Sequence, residues 1–186
     1  MNPLVNNFAL FTDVSLNPQA RIGVGGYLLV PLSYLENEPQ DIRQAEVSGR
    51  LEIKKFTETS STMLEVQTVL WAIGKVREQF TGSNYGHLKI YTDSQCVAGL
   101  IDRRAGLENN DFIGKRSGQP LSHAALYRTF YAAYDQIGFE LIKVSGHSPV
   151  SSHDTVHRIF SYVDKEMRKA LAHRLNSHET SSLVGL

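Results

Sequence analysis

The sequence predicts a mixed α/β fold: one five-stranded mixed sheet flanked by helices, in the order β-β-β-α-β-α-α-β-α. Three observations predict it. Apolar, β-branched and aromatic runs dominate the first third of the chain, helical spacing begins after Thr59-Ser60-Ser61-Thr62, and two later short apolar runs alternate with helical stretches. The length of 186 residues suits one domain with its own core, and the composition, 41% hydrophobic and 20% charged, excludes a disordered or fibrous chain.

In chain order, Phe8 to Thr12 and Arg21 to Val30 form a hairpin across Asn17-Pro18, a turn dipeptide. Gly23, Gly25 and Gly26 inside the second run predict a bulge or a close backbone approach. Val47, Leu51 and Ile53 suggest a third strand from about Glu46 to Phe56. Leu64, Thr68, Val69, Ala72, Ile73 and Val76 carry a long buried helix. Leu88 to Asp93 is a short strand, and Ser94 opens a helix through Val97 and Ile101. The stretch from Asp102 to Leu121 is expected to be an exposed polar insertion. Leu126 to Ile137 is helical, Phe139 to Val144 is a strand, and a last helix runs from about Val156 to Leu175. The domain is expected to span 1–176, with 177–186 a flexible tail.

Lys plus Arg and Asp plus Glu both number 19, so no global charge announces a polyanionic partner. The lone Cys96 excludes an internal disulfide and a thiolate zinc site. No secretory leader pattern or membrane span is visible, and the expectation is a cytoplasmic protein that does not engage membranes.

Four acids are out of place. Asp13 and Asp93 each end an apolar strand in a similar context, Thr12-Asp13-Val14-Ser15 and Thr92-Asp93-Ser94-Gln95. Glu65 shares a helix face with Val69, Ala72 and Val76, and Asp164 lies among Phe160, Met167 and Leu171, with Arg168 one turn on. Clustered carboxylates raise each other's pKa and persist when a divalent cation offsets their charge. Oxygen ligands without Cys or His point to Mg²⁺, with Mn²⁺ the alternative.

Thr12-Asp13-Val14-Ser15, Met63-Leu64-Glu65, Tyr91-Thr92-Asp93-Ser94-Gln95 and Val144-Ser145-Gly146-His147, in that order, resemble type 1 ribonuclease H over roughly residues 8–175. The resemblance implies a ribonuclease H-like fold and endonucleolytic hydrolysis of the RNA strand of RNA–DNA hybrids, leaving 5′-phosphate and 3′-hydroxyl ends. By position Asp13, Glu65, Asp93 and Asp164 would bind two metal ions in the substrate complex, with Asp154 the alternative fourth acid, and His147 would assist proton transfer. Ser15, Asn17, Ser61, Thr62, Ser94 and Gln95, at the ends of the acid-bearing elements, and Lys115 and Arg116 in the insertion are candidate nucleic-acid contacts. The chain departs from the family pattern at Val14, where Gly is usual, and at Ser61-Thr62, where paired Asn is usual. A monomer is expected. Competing readings are a DNA-directed nuclease or transposase-like member of the same superfamily and a catalytically silent hybrid- or RNA-binding module.

Overall fold

The structure, a computed structural model, describes residues 6–80, 85–145 and 154–183. Five strands, β1 (Asn6–Asn17), β2 (Ile22–Pro31), β3 (Glu52–Thr57), β4 (Tyr85–Thr92) and β5 (Glu140–Lys143), form one sheet in the order β3-β2-β1-β4-β5. The first three make an antiparallel meander, while β4 joins β1 and β5 joins β4 in parallel. The expected mixed sheet is therefore present, with β1 at its centre. Six helices accompany it: α1 (Gln44–Arg50), α2 (Ser61–Gln79), α3 (Gln95–Ala98), α4 (Leu100–Asn109), α5 (Ala124–Ile137) and α6 (Thr155–Leu183).

Alternation along β1 and β4 splits the core into two layers. Leu10 and Ile90 face α2 and α5, meeting Val66, Val69, Ala72, Ile73 and Phe130. Ala9, Phe11 and Tyr91 face α6, meeting Ile159, Phe160 and Val163, with Phe11 and Tyr91 stacked at 4.8 Å between centroids. Burying both faces of the central strand explains its near-continuous apolar run.

The glycines of β2 serve close approach. A Cβ on Gly25 would collide with the Thr68 side chain of α2, and one on Gly26 with Met167 of α6. Each of these two glycines lets a helix from one side of the sheet settle onto the strand.

Two sequence expectations are corrected. Residues 46–50 are helical, within α1, and the third strand begins only at Glu52. The spacing of Val47 to Leu51 is also a helical one, and α1 docks on α6 through buried Val47 and a bond from Gln44 Nε2 to Glu166 Oε1 of 3.0 Å. The insertion is not irregular from Asp102, because α4 continues to Asn109 before the chain turns through Asp111 and Phe112 at positive φ. At the other boundaries, β1 runs on past Thr12 to Asn17 and α6 past Leu175 to Leu183. Among the described residues no helix is long and apolar enough to cross a membrane.

Candidate active site

Asp13 lies inside β1, not at its end, paired in register with Gly26 of β2. The parallel pairing of β1 with β4 runs up to Phe11 and Tyr91, two residues short of Asp13 and Asp93 respectively. The two acids therefore lie side by side just past the end of the parallel pairing, on the side of the sheet where open α/β sheets present their ligand sites. Met167 fills the space that a side chain at Gly26 would take. Asp164 precedes Met167 by three residues on α6, so it shares the helix face applied to β2 beside Asp13. Glu65 comes from the second turn of α2, on the other side of the sheet.

The acids sense one another. Asp13 is 4% exposed, and its carboxyl is pushed up to about 8, first by burial and then by the Asp93 charge, with smaller contributions from Asp164 and Glu65. The Val14 amide opposes this by hydrogen bonding to the carboxylate. Glu65 is pushed up to about 7, again by burial first and by Asp93 second. Burial and other carboxylates lead both shifts, and no basic side chain is among those influences. Asp13 Oδ2 is buried without a hydrogen-bond partner among the described residues. A buried anionic oxygen left unpartnered is expensive and marks a place where something positive or protonated belongs.

Asp164 is held differently, its Oδ1 accepting from Arg168 Nε at 3.0 Å across one helical turn. The alternative fourth acid, Asp154, caps α6: its Oδ1 accepts from the His157 backbone N–H at 2.9 Å and lies 2.7 Å from His157 Nδ1. Asp164 is among the groups acting on Asp13, and Asp154 is not among those leading ones.

The Thr-Asp-Ser-Gln segment is fixed by its own hydroxyls. Thr92 Oγ1 accepts from Ser94 N at 3.1 Å, and Ser94 Oγ accepts from Val97 N at 3.2 Å, capping α3. These bonds set the chain direction on both sides of Asp93. Buried Ser94 thus serves the backbone, whereas Gln95 is exposed.

Of the remaining candidates, Ser15 and Asn17 are half-buried at the end of β1, and Asn17 Oδ1 accepts from Ala20 N at 2.9 Å to close the hairpin turn. Ser61 and Thr62 begin α2, whose N-cap Ser60 makes no side-chain cap. Lys115 and Arg116 are exposed on the turn closed by the Ile113 and Pro120 bridge. His147 lies outside the described residues. The close approach expected at Gly26 is found, its partner being Met167 far along the chain, whereas Lys143, which touches Gln95, had no sequence signal.

Among the described residues, no three His, Cys, Asp or Glu side chains stand in an arrangement that could hold a metal ion as they are. The donor set nevertheless fits a hard divalent cation: all oxygen, mutually repelling, and including one buried oxygen with no partner.

No protein-family model matches the chain, and no curated protein matches it in sequence. Solved structures do match. One, described as the foamy viral protease-reverse transcriptase in complex with dsDNA, is 13% identical and aligns with a TM-score of 0.53 over 86% of this chain and 95% of its own. At that identity the likeness speaks to architecture, and with the 3-2-1-4-5 mixed sheet it shows that this chain has the ribonuclease H-like fold.

Proposed function

We propose that the protein is a metal-dependent endonuclease that hydrolyses the RNA strand of RNA–DNA hybrids, leaving 5′-phosphate and 3′-hydroxyl ends. The observation that carries this reading is Asp13: a buried carboxylate in the central strand, one oxygen of which has no partner among the described residues, raised by burial and by three other acids, one just after β4 and the others on α2 and α6. Such a cluster weakens a fold on its own account and is retained where its charge is used.

Asp13, Glu65, Asp93 and Asp164 would hold two Mg²⁺ ions, or Mn²⁺, in the substrate complex. Bound there, the ions would supply a water of lowered pKa and charge stabilisation for the leaving oxygen. The chain's own residues do the remainder. Asp13 is immobilised by strand pairing on β2, and Asp93 by the Thr92 and Ser94 hydroxyls that brace its backbone. Glu65 and Asp164 are half-buried on α2 and α6, and Asp13 feels both their charges. His147, in the segment after β5, would carry the proton to the departing 3′-oxygen. Ser15, Asn17, Ser61, Thr62 and Gln95 would meet the minor groove, and Lys115 and Arg116 the phosphates. The setting would be cytoplasmic and the working unit a monomer.

The test is direct. Purified protein is given labelled RNA–DNA hybrid, single-stranded RNA and duplex DNA, with and without Mg²⁺ or Mn²⁺. Cleavage confined to the RNA of the hybrid, dependent on the metal and leaving 5′-phosphates, is expected; folded protein that cuts no hybrid with either metal would falsify the reading. A second reading, a nuclease acting on duplex DNA, is favoured by the dsDNA bound in the matching solved structure. Preferential cutting of the DNA duplex would replace the first reading with it.

A further inference from the structure

Lys143 ends β5 and is paired in parallel with Thr92, the residue before Asp93. This register places it at the same end of the sheet as the acids, yet its ammonium does not neutralise them. It donates instead to Gln95 Oε1 at 2.6 Å, across 48 positions of sequence. Both side chains are exposed.

A solvent-exposed glutamine ordinarily samples many rotamers, and its amide presents donor and acceptor edges in no fixed direction. Two constraints narrow that freedom here. The backbone at Gln95 is set by the Ser94 cap, and the amide oxygen is occupied by the Lys143 ammonium. With a lone pair of Oε1 held by the ammonium, the Gln95 NH₂, a pure donor, remains for a partner. The edges of a minor groove offer acceptors to such a group: the 2′-hydroxyl oxygen of RNA and the O2 and N3 atoms of the bases.

We propose that Lys143 is a positioning residue that locks the Gln95 amide with its donor edge toward the minor groove of a bound hybrid. The inference rests on the hybrid-cleaving reading above and deepens it by naming how one contact is pre-organised. Lys143 acts through Gln95 and not as a phosphate contact of its own.

The experiment compares wild type, Lys143→Gln, Lys143→Arg, Gln95→Ala and the double variant Lys143→Gln/Gln95→Ala. Hybrid affinity is measured by anisotropy across a salt series, and KM and kcat are measured for hybrid cleavage. Both positions are exposed, and unchanged melting temperatures check that each variant folds. Lys143→Gln is expected to raise Kd and KM about fivefold, with the loss falling on KM more than on kcat, and Lys143→Arg to restore most of it. In the Gln95→Ala background Lys143→Gln is expected to add nothing, and the slope of log affinity against log salt to stay constant. Additive effects with a slope reduced by about one would identify a direct phosphate contact and overturn the proposal. Wild-type values for Lys143→Gln would overturn it too. Hybrid binding without cleavage by wild type would sink the hydrolytic reading while leaving the Lys143 effect on Kd to be judged; absence of hybrid binding would remove both.

Discussion

Two charged regions of this molecule are built on opposite rules. Between α4 and α5, the named carboxylates meet arginines: Arg104 bridges Asp135 and Glu108, and Arg128 reaches Asp111 while its guanidinium lies 4.1 Å from the Phe112 ring centroid. Those pairs are at the surface, where water screens them and their net worth is small. Within β1, just beyond its parallel pairing with β4, Asp13 is buried, lacks a partner for one oxygen among the described residues, and faces other acids. Charge used to tie helices together is compensated inside the protein. At the sheet end, among the described residues, burial and neighbouring acids lead the shift on Asp13, and no basic side chain is among those influences.

The contrast between the regions is sharpest at Asp13. Asp13→Asn is expected to lower metal-dependent hydrolysis by on the order of 10³-fold in single-turnover assays with saturating hybrid. Normal rates in that variant would mean that the acid cluster is not the reacting centre.

The same substitution is expected to stabilise the metal-free fold at neutral to alkaline pH. Asp13 titrates at about 8 in the folded chain against an ordinary 3.8, so between those values the folded state holds more protons than the unfolded one. Stability therefore falls as pH rises through that window, and is fullest below it. Each pH unit in the window corresponds to at most about 1.4 kcal/mol. Local relaxation and water entry take back part of that, so Asp13→Asn should gain on the order of 3 kcal/mol at the upper end, read by denaturant titration in chelator. It should also flatten the pH dependence. Adding Mg²⁺ should stabilise wild type more than the variant, because only wild type has the full set of acids to bind it. A wild-type stability that rises with pH over the same window would contradict the buried-acid account.

The α4 and α5 region should respond least. Arg104→Ala removes pairs that are open to solvent, so the melting temperature is expected to shift only slightly and hybrid cleavage to persist. A loss of activity there would blur the distinction between the two regions.

Much of this was legible in the chain itself, for reasons that differ by element. β1 and β4 are buried on both faces, so their apolar runs stand out, and an acid interrupting such a run signals itself. Glu65 could be singled out because helical periodicity puts it on the face of Val69 and Ala72. Residues 46–50 misled because three apolar residues at spacings of four and two satisfy a helix and a strand in turn, and the docking of Val47 on α6, far along the chain, decides the matter. The glycines of β2 announced a close approach but not its partners, and Lys143 was invisible: what each one meets, Met167 for Gly26 and Gln95 for Lys143, is set by long-range packing and not by local pattern. The order of strands likewise follows from long-range pairing that no local period encodes.

Gly26 carries one more consequence. Opposite Asp13 in the sheet, it yields its side-chain space to Met167, which shares a helix face with Asp164. A methyl group added there would press on α6 at the turn that bears an acid, so damage to packing would register as damage to chemistry. At Gly26, core packing and the position of Asp164 depend on the same missing atom. Purifying pressure on activity would thereby also guard the seam between sheet and helix.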